Sequence, residues 1–268
     1  MADDILRGLR AAIGFLTTLP VSIREGDYDC FADRQYLVVP AAILIGVILG
    51  ASGTVLQWLL PPSFVGILVI VTLFLITGIN HMDGLTDMGD GLVTSGSREK
   101  KIAAMKDVHV GAGGLLFMAM DLLFLYALIS TFAGSPMPLF IPLLVAEVCA
   151  KVAMAVIIAF GESTHQGMGS YMIERANRKH SMISVIGAWM VIIAMMLVAA
   201  WLWNGGSSIQ VMIACGTVML SPLVTALAML AIADRNFGGV NGDVIGATNE
   251  IARILALCVM GVVLWTHF

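Results

Sequence analysis

The sequence predicts an all-α integral membrane protein of about seven transmembrane helices, preceded by an N-terminal interfacial amphipathic helix. Three observations carry that prediction. Hydrophobic residues make up 59% of the chain and charged residues only 12%, with a mean hydropathy of +0.95. The apolar residues are gathered into long stretches, and the basic residues fall almost entirely into alternate connections between them. A soluble domain is roughly half apolar and about one-quarter charged. No soluble core could hide this much apolar surface in 268 residues, so lipid is the solvent for most of the chain, read as one polytopic domain over 1–268.

Residues 1–20 are expected to form the interfacial helix. Leu6, Leu9, Ile13 and Leu16 recur at helical spacing with Arg7 and Arg10 beside them; a helix packed on a loop domain is the competing reading. The charges among its apolar positions argue against a cleavable secretory signal.

A spanning helix needs about 20 apolar residues. The stretches 37–60, 64–82, 112–132, 137–160, 182–203, 208–233 and 251–267 meet or approach that length. Pro61-Pro62 separates the first two as a tight hairpin. Gly134-Ser135-Pro136 and Asn204-Gly205-Gly206-Ser207 break the later ones with turn chemistry.

Seven spans place Arg7, Arg10, Arg24, Arg34, Arg98, Lys100, Lys101, Lys106, Arg175, Arg178, Lys179, Arg235 and Arg253 on one side. These are thirteen of the 14 basic residues, and the three opposite connections carry no charge. That side is expected to be the cytoplasm of a multi-pass cell-membrane protein. The net charge of -4 gives no reason to expect nucleic acid as a partner. The four cysteines are far apart and without C-x-x-C spacing, which suggests neither zinc nor a disulfide framework.

Asp121, Glu147 and Lys151 remain inside apolar spans, where charge is costly and usually faces a partner or a polar cavity. Glu147 and Lys151 are four apart in the favourable order for a pair. That pair either staples a helix or lines a substrate cavity, and Asp121 has no obvious local partner.

The most informative stretch runs from His81 to Gly91. Asp83, Asp87 and Asp90 stand at i, i+4 and i+7, three carboxylates along one helix face. Their mutual repulsion calls for a positive partner. Oxygen donors with no cysteine and few histidines favour Mg²⁺, Mn²⁺ or Ca²⁺ over zinc. Mg²⁺ shared with substrate phosphates fits best, because the spacing is not that of an EF-hand. Gly84, Gly89 and Gly91 are read as allowing close backbone approach to a ligand. Downstream, Asp107 is a further candidate metal ligand, and Lys106 and its basic neighbours are candidates for phosphate oxygens. The Gly111–Gly114 run opens the third span, where unpaired N–H groups receive an anion.

The last connection, Gly238 to Glu250, repeats the theme. It is glycine-rich and carries Gly242, Asp243 and Glu250. It reads as a ligand-binding loop or as a turn leading to a helix capped by Thr248 or Asn249. Glu162, His165, Gln166, Gly167, Met168 and Gly169 in the fourth-to-fifth loop suit substrate contact.

These motifs together resemble the membrane-bound cobalamin synthases, the adenosylcobinamide-GDP ribazoletransferases. The matching features are Arg7-Gly8 with Phe15-Leu16-Thr17-Thr18-Leu19-Pro20, and His81-x-Asp83-Gly84-x2-Asp87-x2-Asp90-Gly91. Further matches are Met105-x-Asp107-x3-Gly111-x2-Gly114, Gly167-Met168-Gly169, and Gly242-Asp243-x2-Gly246-Ala247-x2-Glu250. The resemblance implies transfer of a GDP-activated corrinoid, adenosylcobinamide-GDP, onto α-ribazole or its phosphate, with GMP released and Mg²⁺ required. It leaves a homo-oligomer open. Chemically, Asp83, Asp87, Asp90 and Asp107 are the expected metal ligands. Asp83, Asp107 and His109 are the expected catalytic groups, and Lys106, Gly111, Gly114, Gly242, Asp243 and Glu250 the binding residues. A carboxylate or His109 would accept the hydroxyl proton. The acidic signature is also similar to that of CDP-alcohol phosphatidyltransferases, but Thr94 and Ser95 stand where Ala-Arg is expected. A divalent-cation transporter is a further alternative; it would distribute its acids through mid-membrane and show internal repeats, whereas here the acids cluster at one surface and no repeat is visible.

Overall fold

A computed structural model describes residues 2–164, 167–202 and 208–265. Among them the chain forms twelve helices. They are α1 (Ala2–Leu16), α2 (Asp27–Ala32), α3 (Val38–Leu59), α4 (Pro62–Thr77), α5 (Asn80–Val93), α6 (Arg98–Met105), α7 (Ala112–Ala133), α8 (Phe140–Phe160), α9 (Met168–Glu174), α10 (Arg178–Leu202), α11 (Ser208–Phe237) and α12 (Gly242–Trp265). A single 3₁₀ turn, Gln35–Leu37, leads into α3. The turn expected at 204–207, the residues His165 and Gln166, and the end of the last stretch at 267 lie outside the described residues.

Six helices are long and apolar enough to cross a bilayer: Gln35–Leu59, Ala112–Ala133, Phe140–Phe160, Arg178–Trp201, Met212–Phe237 and Gly242–Val262. The expected second span, 64–82, differs from the structure. Its helix α4 stops at Thr77, and α5 leaves it at an angle of 99°. The break is at Gly78, whose φ of 69° is open to glycine at little cost. The irregular segment after α1 reaches the break, with the Thr18 N–H donating to the Ile76 carbonyl at 2.7 Å. The 16 residues of α4 are therefore a short span of roughly 24 Å. Counted with it, the chain is a seven-helix multi-pass membrane protein.

Helix α8 is the axis of the bundle. Every residue from Ile141 to Ile158 is buried, because α3, α10, α11 and α12 surround it. Small residues make the contact close. A Cβ at Gly46 would fall 2.8 Å from the Leu144 Cα, and one at Gly50 would fall 2.8 Å from the Phe140 Cα, so neither position admits a side chain. Lipid takes the outside, where Trp201, Leu220 and Leu227 are exposed.

Helix α1 has a mixed role. Leu6 is exposed as an interfacial residue would be, but Leu16 is buried, and α1 packs along α2. Arg7 and Arg10 both reach the fully buried Asp27, at 3.0 and 2.7 Å. Burial pushes the Asp27 carboxyl up, but bonds from the Arg24 N–H, Arg7 and Arg10 outweigh it and hold it at about 2.

Candidate active site

Helices α5, α7 and α12 meet at the end of the bundle from which α6 and the 106–111 loop project. The acidic face of α5 runs inward along its length: Asp83 is exposed, Asp87 half-buried and Asp90 buried. The expected common face is therefore present, but its three carboxylates sit in different surroundings.

Asp90 already has an anion's partners. Its Oδ2 accepts the Gly111 N–H at 2.7 Å, and its Oδ1 accepts the Gly114 N–H at 2.9 Å. The opening turn of α7 does receive an anion, as the glycine run suggests, but the anion is the protein's own. Gly111 and Gly114 are thus committed to Asp90, and a Cβ at either would strike its carboxylate.

Asp87 is the electrostatic centre of the face. Partial burial pushes its carboxyl up to about 6, with help from the negative charges of Asp83, Asp243 and Asp90. Asp243 thereby joins a cluster that lies about 150 residues earlier in sequence. The join is made by backbone contact: a Cβ at Gly84 would fall 2.8 Å from the Asp243 carbonyl oxygen, and one at Gly246 would fall 3.2 Å from the His81 Cα. Gly89 and Gly91 likewise face Phe117 of α7 and Met105 of α6. These glycines serve helix packing, where the sequence suggested ligand approach.

The 242–250 stretch is helix, and this corrects the loop reading. Asn241 is the cap, its Oδ1 accepting the Val244 N–H at 2.9 Å while its Nδ2 donates to Asp243 at 3.0 Å. Thr248 and Asn249 lie in the interior of α12 and are fully buried. Gly238 and Gly239 make the turn before it, both at positive φ. The preceding loop is tied to this turn by the Val240 N–H, which donates to the Glu162 carbonyl at 2.7 Å. Gly169 of α9 packs directly on the Gly242 backbone.

Glu250 faces the interior. It pairs with Arg253, accepts from the Asn249 amide at 2.8 Å, and is 2% exposed. Arg253 also holds Glu147, and Lys151 lies 3.4 Å from Glu147 and 2.6 Å from the Asn249 Oδ1. The Glu147–Lys151 pair is thus part of a buried network between α8 and α12. Arg253 belongs to that network and not to the basic side counted from sequence. Asp121 is buried beside it, and neither of its oxygens has a hydrogen-bond partner among the described residues.

Asp107 and His109 lie in the exposed loop between α6 and α7. Asp107 Oδ1 accepts the His109 N–H at 2.9 Å and stands 2.9 Å from its Nδ1. Those two contacts hold the Asp107 carboxyl below its ordinary value. Lys106 is exposed at the end of α6. Arg98 and Lys101 are spent on structure, bonding to the Asp234 carbonyl and the Asn236 side chain at 2.8 and 3.0 Å.

Among the described residues no three acidic, histidine or cysteine side chains converge closely enough to hold a metal ion. The donor set is nevertheless all oxygen, with Asp87 crowded by like charges. It fits a hard cation that keeps further positions for substrate phosphates, the usual habit of Mg²⁺, and does not fit a cage made by protein alone.

The family model described as cobalamin-5-phosphate synthase matches residues 8–261. The chain belongs to this family. It is therefore a transferase of cobalamin synthesis. Adenosylcobinamide-GDP ribazoletransferase of Methanocella arvoryzae is 64% identical over 268 residues, covering all of both chains. The proteins of that name from Methanococcoides burtonii and Methanosarcina barkeri are 36% and 34% identical, covering 97% and 98% of this chain and 93% and 94% of their own. No solved structure matches. Sequence reasoning missed Asp27 and Gln35; the signal for the first was a pair of arginines on a helix face assigned to lipid headgroups.

Proposed function

We propose that the protein joins adenosylcobinamide-GDP to α-ribazole or its phosphate, releasing GMP, at the acidic face shared by α5 and the start of α12. The reading rests on family membership, and what supports this location is the packing of Gly84 against Asp243, which sets Asp243 near enough to Asp83 and Asp87 for their charges to be felt at Asp87. A hydroxyl of the acceptor attacks the phosphorus that bears the corrinoid side chain. The bond from that phosphorus to the bridging oxygen breaks, and GMP departs with that oxygen. Mg²⁺, when bound, polarises phosphate oxygens and neutralises the leaving nucleotide.

The chain's own residues supply the rest. Asp83 and Asp87 would hold the ion, with Asp243 beside them. Asp90 fixes the start of α7 through Gly111 and Gly114, and so positions the loop that carries Asp107 and His109. Asp107 occupies the Nδ1 of His109, which leaves Nε2 to take the proton from the attacking hydroxyl. Lys106 stands ready for phosphate oxygens. Because the basic connections share this end of the bundle, the site faces the cytoplasm of the cell membrane.

The test is purified protein in lipid, supplied with adenosylcobinamide-GDP, α-ribazole and Mg²⁺, with GMP release followed. Release that requires both substrates and a divalent ion is expected. Absence of GMP under every divalent metal would overturn the reading.

A further inference from the structure

Beside the acidic face, an apolar pocket of about 120 Å³ opens between α1, α2, α5, α8, α9 and α12. Its walls include Phe15, Phe31, Met154, Ile158 and Met172. His81 and Gly242 also line it, and each is one or two residues from an acid of the cluster, Asp83 or Asp243. The polar side chains of the lining are Gln35, Asn80 and His81, and Gln35 is the buried one. Gln35 is 2% exposed, its Nε2 donates to the Met172 carbonyl at 2.8 Å, and its Oε1 has no partner among the described residues. The bond to Met172 fixes the orientation of the amide, so the atom left over is an acceptor. A buried acceptor without a donor is destabilising, and a ligand that supplies the donor relieves it.

We propose that this pocket holds the heteroaromatic base of the acceptor nucleoside, with Gln35 accepting a hydrogen bond from a ribose hydroxyl, the only kind of donor that nucleoside has. The inference rests on the transferase reading above and assigns one substrate to one place. Size excludes the corrinoid: an apolar cavity of about 150 Å³ takes a benzene-sized ring, and one of about 120 Å³ admits a single flat ring edge and nothing of a macrocycle's size. Polarity separates the two remaining rings. Guanine carries several donors and acceptors on its edge, and a lining that is apolar apart from Gln35, Asn80 and His81 would leave most of them unpaired. The base of α-ribazole is chiefly apolar and loses little there. Position agrees as well, because a base seated on Gly242 and His81 lies next to Asp243 and Asp83 in the chain.

The experiment is steady-state GMP release in lipid nanodiscs, varying each substrate against saturating amounts of the other. Gly242 has nothing within 4 Å of an added Cβ, so Gly242→Val is accommodated by the fold and obstructs the pocket. It is expected to raise the KM for α-ribazole at least tenfold while the KM for adenosylcobinamide-GDP stays within twofold. Gln35→Leu is expected to raise the α-ribazole KM several-fold, with the same selectivity. A rise confined to the adenosylcobinamide-GDP KM would mean that the pocket holds guanine, and would overturn the proposal. Unchanged KM values in the Gly242 variant would leave the pocket to a lipid chain and overturn it equally. Both results leave the transferase reading standing, whereas no GMP from the wild type would overturn the two together.

Discussion

Replacing Gly84 with alanine tests whether the α5–α12 contact builds the site. The new Cβ would fall 2.8 Å from the Asp243 carbonyl oxygen and 3.0 Å from its Cα. Both are backbone atoms on a packed helix, so no side chain can swing aside, and the helices must part by several tenths of an ångström. Overpacking of this kind costs about 1–3 kcal/mol, and the gain in helix propensity from glycine to alanine returns about 1 kcal/mol. The net effect on stability is thus at most about 2 kcal/mol. The effect on turnover should be larger, because the parting falls at the residue that joins Asp243 to Asp83 and Asp87. Misplacement on the order of 1 Å costs as much as 10²-fold in rate, so a loss of at least tenfold is expected here. Gly216→Ala is the control, since a Cβ there meets nothing within 4 Å. GMP release and thermal unfolding are measured on both variants in lipid. A Gly84→Ala protein with wild-type rate and unfolding temperature would refute the reasoning, as would a rate loss matched by Gly216→Ala.

The acids of α5 should separate by role. Asp83→Asn and Asp87→Asn should keep the unfolding temperature and lose nearly all Mg²⁺-dependent turnover, whereas Asp90→Ala, which strips a cap from α7, should also cost about 1–2 kcal/mol of stability; equal unfolding temperatures in all three would reject that division. Arg253→Met leaves Glu147 and Glu250 buried without their guanidinium partner and should cost about 3–5 kcal/mol, part of it recovered by adding Glu147→Gln; full stability of the single variant counts against the network. Asp87, pushed up to about 6 by partial burial and its acidic neighbours, binds a proton more readily folded than unfolded, so the metal-free protein should lose stability as pH rises from about 4 to 6. Metal competes with that proton, and Mg²⁺ affinity measured by calorimetry should weaken about tenfold per pH unit below about 6; an affinity flat from pH 7 to 5 would contradict the assignment of Asp87.

The long apolar helices were legible because their signal is local and about 20 residues wide. The bend at Gly78 was not, since one glycine within an apolar run looks the same in a straight helix as in a broken one. Asp83, Asp87 and Asp90 announced themselves through helical spacing, but nothing local says that Asp90 turns to the N–H groups of Gly111 and Gly114. The 242–250 stretch misled for a related reason: glycines that fit helix against helix have the same composition as glycines that line a ligand loop. Arg253 read as a flanking basic residue because its partner Glu147 is 106 positions away. The family motifs singled out candidate residues while leaving open whether each touches substrate or its neighbours.

The buried network has a consequence for how the chain is made. Helix α8 carries Glu147 and Lys151 into the bilayer, and two of the groups that complement them, Asn249 and Arg253, leave the ribosome 98 and 106 residues later. Until α12 arrives, α8 is a poor candidate for release into lipid and needs shelter from the insertion machinery or from the first helices. Synthesis arrested before residue 242 would strand both charges, and such fragments should be prime substrates for membrane quality-control proteases. Since α12 also brings Asp243 to the acidic face, the step that rescues α8 is the same step that completes the enzyme.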